Sequence, residues 1–131
     1  MTFMNRLANS SNRFQGPAKR VLCVCSAGLL RSPTAANVLH QEYGFNTRAA
    51  GITEEYALIP VDAVLIEWAE EIVWVEQAVY DKGWQEYKDL LKHKRNVVLA
   101  IPDQYEWNNP ELRAIIKKQY ADSATMEKAS A

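Results

Sequence analysis

Cysteine is scarce in this sequence. The 131 residues carry two, Cys23 and Cys25. A chain of this size buries roughly two-thirds of the surface that its unfolded form exposes, so it needs no disulfide staple. Two residues apart on a strand, the pair shares one face, and a bond between such neighbours is not expected. A reducing compartment and a reactive thiol are the expectation instead. Long apolar runs are also missing. None exceeds about six residues, against about 20 for a bilayer-spanning helix. Met1–Arg20 lacks the apolar stretch of a secretory signal, so a cytoplasmic location without a membrane partner is expected. No charge of one sign dominates: 15 Lys and Arg face 16 Asp and Glu. Nucleic-acid binders carry a basic excess, so no nucleic-acid partner is expected. The densest basic cluster, Lys92–Arg95, reads as a solvated helix end. Histidine is limited to His40 and His93, each read as an isolated surface residue on a helix. No cluster of His and Cys or of paired carboxylates suggests a metal site, and no cofactor is expected. Glycine and proline number five each, too few for a low-complexity linker. The length suits one domain.

What is present is an alternation of elements. Residues 1–18 read as a polar N-terminal extension and 121–131 as a polar C-terminal tail. Between them, Val21–Val24 is an apolar run suited to a strand buried on both faces. Arg31–Tyr43 reads as a helix with Pro33 in its first turn, an apolar stripe of Ala35, Val38 and Leu39, and Gly44 as its stop. Thr47–Ala50 is a weak strand. Asp62 caps a short helix carrying Val64, Leu65 and Trp68. Ile72–Val75 is a strong strand. Val79–Leu91 is helical by pattern, with Tyr80, Trp84, Tyr87 and Leu91 on one face, although Gly83 weakens that reading. Asn96–Ile101 is a further strand, and Asn109 caps a last helix beginning at Pro110, with Leu112, Ile115 and Ile116 inward. Strands alternating with helices predict an α/β fold: a single three-layer domain with a four-stranded parallel twisted sheet flanked by helices on both faces. Ligands of such sheets sit beyond the carboxyl ends of the strands.

Cys25 lies at such an end. Val21 to Ala35 reads VLCVCSAGLLRSPTA: a buried strand, Cys25, five residues, then Arg31, Ser32 and a helix start. A short loop closing onto a helix aims successive backbone N–H groups at one point, where an anion also meets the positive end of the helix dipole. Ser26, Ala27, Gly28, Leu29, Leu30, Arg31 and Ser32 are the candidate phosphate-binding residues. Arg31 adds a planar fork for two phosphate oxygens. The same field favours the thiolate of Cys25, and the Ser32 hydroxyl is placed to donate to that sulfur. The pattern is that of a cysteine nucleophile at the base of a phosphate cradle. A strand-end cysteine in a core is the plain alternative; the buried strand, the Arg-Ser-Pro and the helix opening together favour the cradle.

The segment resembles the signature of low-molecular-weight protein tyrosine phosphatases: Cys, five residues, then Arg-Ser-Pro at the end of the first strand. Thr47–Gly51 is similar to the family's second strand, Leu65–Ala69 with Ile72–Glu76 to its third unit, and Ile101–Leu112 to the acid loop of a short bacterial branch. The resemblance covers about residues 19–120. It implies hydrolysis of phosphotyrosine in a protein, or of a small aryl phosphate, through a phosphocysteine. Asp103 is then the general acid, since Asp103-Gln104-Tyr105 matches the family's Asp-Pro-Tyr at Asp and Tyr, with proline moved to Pro102. By chemistry alone Asp103 is one of several loop carboxylates, and a turn aspartate beside proline reads equally well. Tyr105 and Trp107 are candidates to wall a slot for an aromatic ring; packing the loop onto the last helix is the alternative.

The chain departs from the family in three places. Gly28 replaces an Asn that is usually left-handed, a conformation open to glycine. Ala49 replaces the Ser that bonds this Asn, so both sides of a polar link are absent together, which orphans neither. Leu30 replaces the second cysteine that many members carry, and Cys23 reads as a buried structural residue. Rival readings are an arsenate reductase coupled to glutaredoxin, a low-activity phosphoprotein-binding module of the same fold, and, last, a phosphocarrier domain, whose loop does not need Arg31.

Overall fold

The computed structural model describes residues 18–26, 31–53, 57, 59–102 and 104–130. Ala27, Gly28, Leu29, Leu30 and Asp103 lie outside the described residues, as does the expected N-terminal extension up to residue 17. Strands and helices alternate: β1 (Arg20–Cys25), α1 (Arg31–Tyr43), β2 (Asn46–Gly51), α2 (Ala63–Trp68), β3 (Glu71–Trp74), α3 (Gln77–Leu91), β4 (Arg95–Val98) and α4 (Pro110–Ser130). The strands form one parallel sheet in the order β2-β1-β3-β4. This is the expected α/β class.

The chain steps from β1 to β2 in one direction, then from β2 through β3 to β4 in the other. Right-handed crossovers therefore place α1 on one face and α2 and α3 on the opposite face. The packing agrees: α1 lies on β1 and β2 and against α4, α2 against α3, and α3 on β3 and β4. With both faces covered, β1 is a continuous apolar run, and Val21, Leu22, Cys23 and Val24 are wholly buried. The β4 pairing continues past its last residue, with Leu99 N donating to Trp74 O at 2.8 Å and Ile101 N to Val75 O at 2.9 Å.

The helix ends follow the expected local chemistry. Gly44 takes φ +70° and donates to His40 O at 2.9 Å, closing α1. Asp62 Oδ1 accepts from Leu65 N at 2.8 Å at the start of α2. Asn109 Oδ1 accepts from Glu111 N at 2.8 Å and Leu112 N at 3.3 Å at the start of α4. Leu112 and Ile116 are fully buried, and Ile115 is half-buried beside them. The backbone of α4 runs on as helix to Ser130, through the stretch expected as a tail. Residues 121–130 contain no Gly or Pro to stop it. No described helix is long and apolar enough to cross a membrane.

Three sequence expectations change in detail. Gly83 does not weaken α3. It makes room for Trp74, since a Cβ at this position would lie 2.4 Å from the indole ring. The cluster Lys92–Arg95 is not simply a solvated helix end. Lys94 Nζ donates to Ala69 O at 2.7 Å and Glu67 O at 3.2 Å at the carboxyl end of α2, and Arg95 opens β4 and pairs with the buried Glu71. His40 is half-buried, with Nδ1 2.8 Å from Phe45 O, so it joins the end of α1 to the start of β2.

Candidate active site

The strand order reverses between β1 and β3, whose following helices leave on opposite faces. That leaves a crevice beyond the carboxyl ends of these two strands. Cys25 ends β1 at this point and is 3% exposed. Its backbone is fixed by the sheet: Cys25 pairs with Gly51 in β2, Ile52 N donates to Cys25 O, and Thr53 N donates to Ser26 O, both at 2.9 Å. The strand thus delivers the sulfur to a defined place, and α1 begins six residues later at Arg31.

Ser32 supports the sulfur from the first turn of α1. Its Oγ lies 3.1 Å from Cys25 Sγ and 3.3 Å from Ala50 O on β2. The hydroxyl carries one proton. While it donates to the Ala50 carbonyl, it accepts from the thiol; when the sulfur is a thiolate, it donates to the sulfur. The expected pairing of Cys25 with Ser32 is therefore present, and the second strand supplies a backbone carbonyl behind it.

Arg31 is 2% exposed, which requires partners for its charge. Nη1 donates to Glu76 Oε1 at 2.8 Å and to Ile101 O at 2.9 Å. Both N–H bonds of Nη1 are thus directed to protein, which fixes the plane of the guanidinium. The opposite edge, Nε and Nη2, is the pair of donors suited to a bidentate grip on a phosphate. Glu76 lies just past the end of β3, after Val75, and Ile101 lies past the end of β4, after Leu99 and Ala100. The arginine thus ties α1 to the carboxyl ends of both strands. The sequence does not single out Glu76. The signal was its position: an acid just beyond a strand, at the sheet edge where ligands bind.

After β4 the chain meets α1 at Asn108. Asn108 takes φ +61°, and its N–H donates to Thr34 Oγ1 at 2.8 Å. Its Oδ1 accepts from Asn37 Nδ2 at 3.4 Å and Arg113 Nη1 at 2.5 Å, and Arg113 Nη2 donates to Gln41 Oε1 at 2.6 Å. Tyr105 is half-buried against the core. Trp107 is half-buried, and its shielded Nε1 has no hydrogen-bond partner among the described residues. A groove of about 650 Å3 runs beside β4, bordered by Glu76, Ile101, Pro102 and Gln119. Neither Arg31 nor Cys25 lines it.

Burial pushes the Cys23 thiol far up from its usual range, with Glu71 and Cys25 adding in the same direction. Cys23 is thereby a thiol at working pH, and no disulfide joins the two cysteines. Of the expected site residues, Cys25, Ser26, Arg31 and Ser32 are brought together at the crevice.

No protein-family profile matches the chain, and no curated protein sequence aligns with it. Solved structures do match. The YwlE arginine phosphatase from Geobacillus stearothermophilus superposes with a TM-score of 0.61 at 17% identity, covering 86% of this chain and 96% of that one. Vibrio vulnificus Wzb in complex with benzylphosphonate gives 0.61 at 17% identity, covering 87% and 99%. The Corynebacterium glutamicum thioredoxin-dependent arsenate reductase gives 0.51 at 15% identity, covering 96% and 67%. The chain therefore shares the fold of these proteins, which is the fold that the sequence resemblance implies.

Proposed function

We propose that the protein is a cysteine-dependent phosphomonoester hydrolase acting through a phosphocysteine. The observation that carries this reading is the close set of Cys25 Sγ, Ser32 Oγ at 3.1 Å and a buried Arg31 held by Glu76 and Ile101. The Cys25 thiolate attacks phosphorus in line; the sulfur–phosphorus bond forms as the ester oxygen–phosphorus bond breaks. Asp103 gives its proton to the departing oxygen, then takes one from the water that cleaves the phosphocysteine. Arg31 and the amides of residues 26–32 balance the charge on the equatorial oxygens throughout. No step calls for a cofactor.

The substrate class we favour is phosphotyrosine in a protein or a small aryl phosphate, with Tyr105 and Trp107 flanking the ring, and a cytoplasmic setting for the reaction. Support comes from the Arg-Ser-Pro signature, the Asp103–Trp107 segment and the likeness to Wzb, whose structure holds benzylphosphonate. One neighbour is an arginine phosphatase, so phosphoarginine belongs in the same assay. The arsenate reductase neighbour suggests no better reading: a cysteine relay requires thiols beyond the two that this chain has, although coupling to glutaredoxin does not.

The test is turnover of p-nitrophenyl phosphate without added metal by the wild type, Cys25→Ser and Asp103→Asn, followed by phosphotyrosine and phosphoarginine peptides. Cys25→Ser abolishes turnover, and Asp103→Asn lowers it about a hundredfold or more. An inactive wild type sinks the phosphatase reading. An active Cys25→Ser variant sinks the mechanism.

A further inference from the structure

We propose that Thr34 and Asn108 are positioning residues: they clasp the chain that follows β4 onto the helix turn that carries Arg31, and general-acid catalysis by Asp103 depends on that clasp. The proposal rests on the phosphatase reading above. The loop is fastened at both ends to one turn of α1. At its start, Ile101 O accepts from Arg31 Nη1 at 2.9 Å. At its end, Asn108 N donates to Thr34 Oγ1 at 2.8 Å. Residues 31 and 34 are three apart on α1 and so lie side by side on its surface. Asp103 lies between the two fastened points in sequence.

The polar groups follow a pattern. Thr34, Asn37 and Gln41 recur at helical spacing on α1, beside the apolar stripe of Ala35, Val38 and Leu39. Thr34 is wholly buried. All three accept from or donate to the Asn108–Arg113 unit: Thr34 Oγ1 to the Asn108 N–H, Asn37 Nδ2 to Asn108 Oδ1, and Gln41 Oε1 to Arg113 Nη2. A buried threonine hydroxyl in the first turn of a helix needs partners, and Asn108 of the loop supplies one of them. Asn108 also sits at φ +61°, a left-handed backbone that is unfavourable for side chains other than glycine and, less so, asparagine. Glycine would satisfy the turn. Asparagine adds the amide that Asn37 and Arg113 hold, which fixes the loop and not merely its bend. Proton transfer to a leaving oxygen tolerates little misplacement; an error of about 1 Å can lower a rate by about a hundredfold. A clasp on the same turn as the phosphate arginine removes one source of that error.

The experiment compares kcat/KM for 2,4-dinitrophenyl phosphate and phenyl phosphate. Dinitrophenolate departs without a proton, whereas phenolate requires one, so the ratio of the two constants reads the general acid alone. Thr34→Val keeps the shape and removes the acceptor; Asn108→Gly keeps the left-handed turn and removes the amide. Each is expected to raise the dinitrophenyl-to-phenyl ratio by about tenfold or more. Thr34→Ser, which retains the hydroxyl, restores the wild-type ratio. Asp103→Asn sets the upper limit. If Thr34→Val does not fold, Asn108→Gly carries the same measurement. Equal losses on both esters, with an unmoved ratio in an active enzyme, overturn the clasp and leave the phosphatase reading standing. A ratio that Asp103→Asn also fails to move overturns the acid assignment and the clasp with it. A wild type inert on both esters overturns both proposals.

Discussion

A methyl group at position 83 has nowhere to go. In an exposed helix interior, Gly→Ala stabilises by about 1 kcal/mol, because alanine has the highest helix propensity and glycine one of the lowest. At Gly83 the sign reverses. The added Cβ would lie 2.4 and 2.5 Å from two carbons of the Trp74 ring, and that ring is wholly buried with its Nε1 donating to Asn96 Oδ1 at 3.0 Å. A shift of the ring disturbs that bond and the edge contact with Tyr80, 5.6 Å between centroids. Gly83→Ala is expected to destabilise the protein by about 1–3 kcal/mol, the scale of overpacking in a filled core, read as a lowered urea midpoint with an unchanged slope. A gain in stability would show that the indole relocates freely.

At the level of elements, the buried carboxylate that opens β3 joins four segments. Glu71 is wholly buried; Lys19 before β1 lies 3.0 Å away, Arg95 of β4 pairs with it, and the Tyr120 hydroxyl of α4 donates to Oε2 at 2.8 Å. Burial, followed by the charge of Glu71, raises the Tyr120 phenol above its ordinary range. The folded state thus holds that proton more tightly than the unfolded chain does. The corresponding stability is fully present below about pH 10, where a free tyrosine titrates, and is lost as the pH rises beyond it. Tyr120→Phe is expected to lower stability by about 1–3 kcal/mol at neutral pH, as for a hydrogen bond to a charged group, and to flatten the alkaline decline. Urea titrations at pH 7 and pH 11 check both; an equal decline in the two proteins would remove Tyr120 from the account.

The same elements show which features are legible from sequence. Helix ends at Gly44, Asp62 and Asn109 are local, because cap and capped residue lie within four positions of each other, and they stand where the sequence puts them. The buried run Val21–Val24 and the Cys25–Arg31 spacing are local as well. Glu71, Glu76 and Arg95 are not. Their roles come from partners 24 to 52 positions away, and a charged residue gives no sign in the sequence of whether it will meet one. Gly83 is a related case: its meaning lies in a tryptophan on another element. The clasp of Thr34 and Asn108 spans 74 positions and leaves only a faint trace, the polar spacing of Thr34, Asn37 and Gln41.

For the whole molecule, the arrangement gathers Cys25, Arg31 and Ser32 at the carboxyl ends of the strands and leaves the amino ends to the Glu71 cluster. The chain also has few thiols. Cys23 is two residues from Cys25 on the same strand, which separates side chains pointing the same way by about 6.6 Å. A disulfide requires Cβ atoms about 3.5–4.5 Å apart, so β1 would have to buckle within the core to form one. Peroxide is therefore expected to take Cys25 beyond the sulfenic acid to forms that dithiothreitol does not reverse. Mass spectrometry after mild oxidation should find oxygens on Cys25 and no link to Cys23. A Cys23–Cys25 bond, with activity recovered by reductant, would refute this.

That spacing on β1 has a bearing on time as well as on chemistry. An enzyme with a resolving thiol forgets an oxidative episode as soon as reductant returns. A strand that holds its second sulfur out of reach cannot, and each molecule carries its damage until it is degraded. The active fraction of a population would then record accumulated exposure, and only new synthesis would reset it.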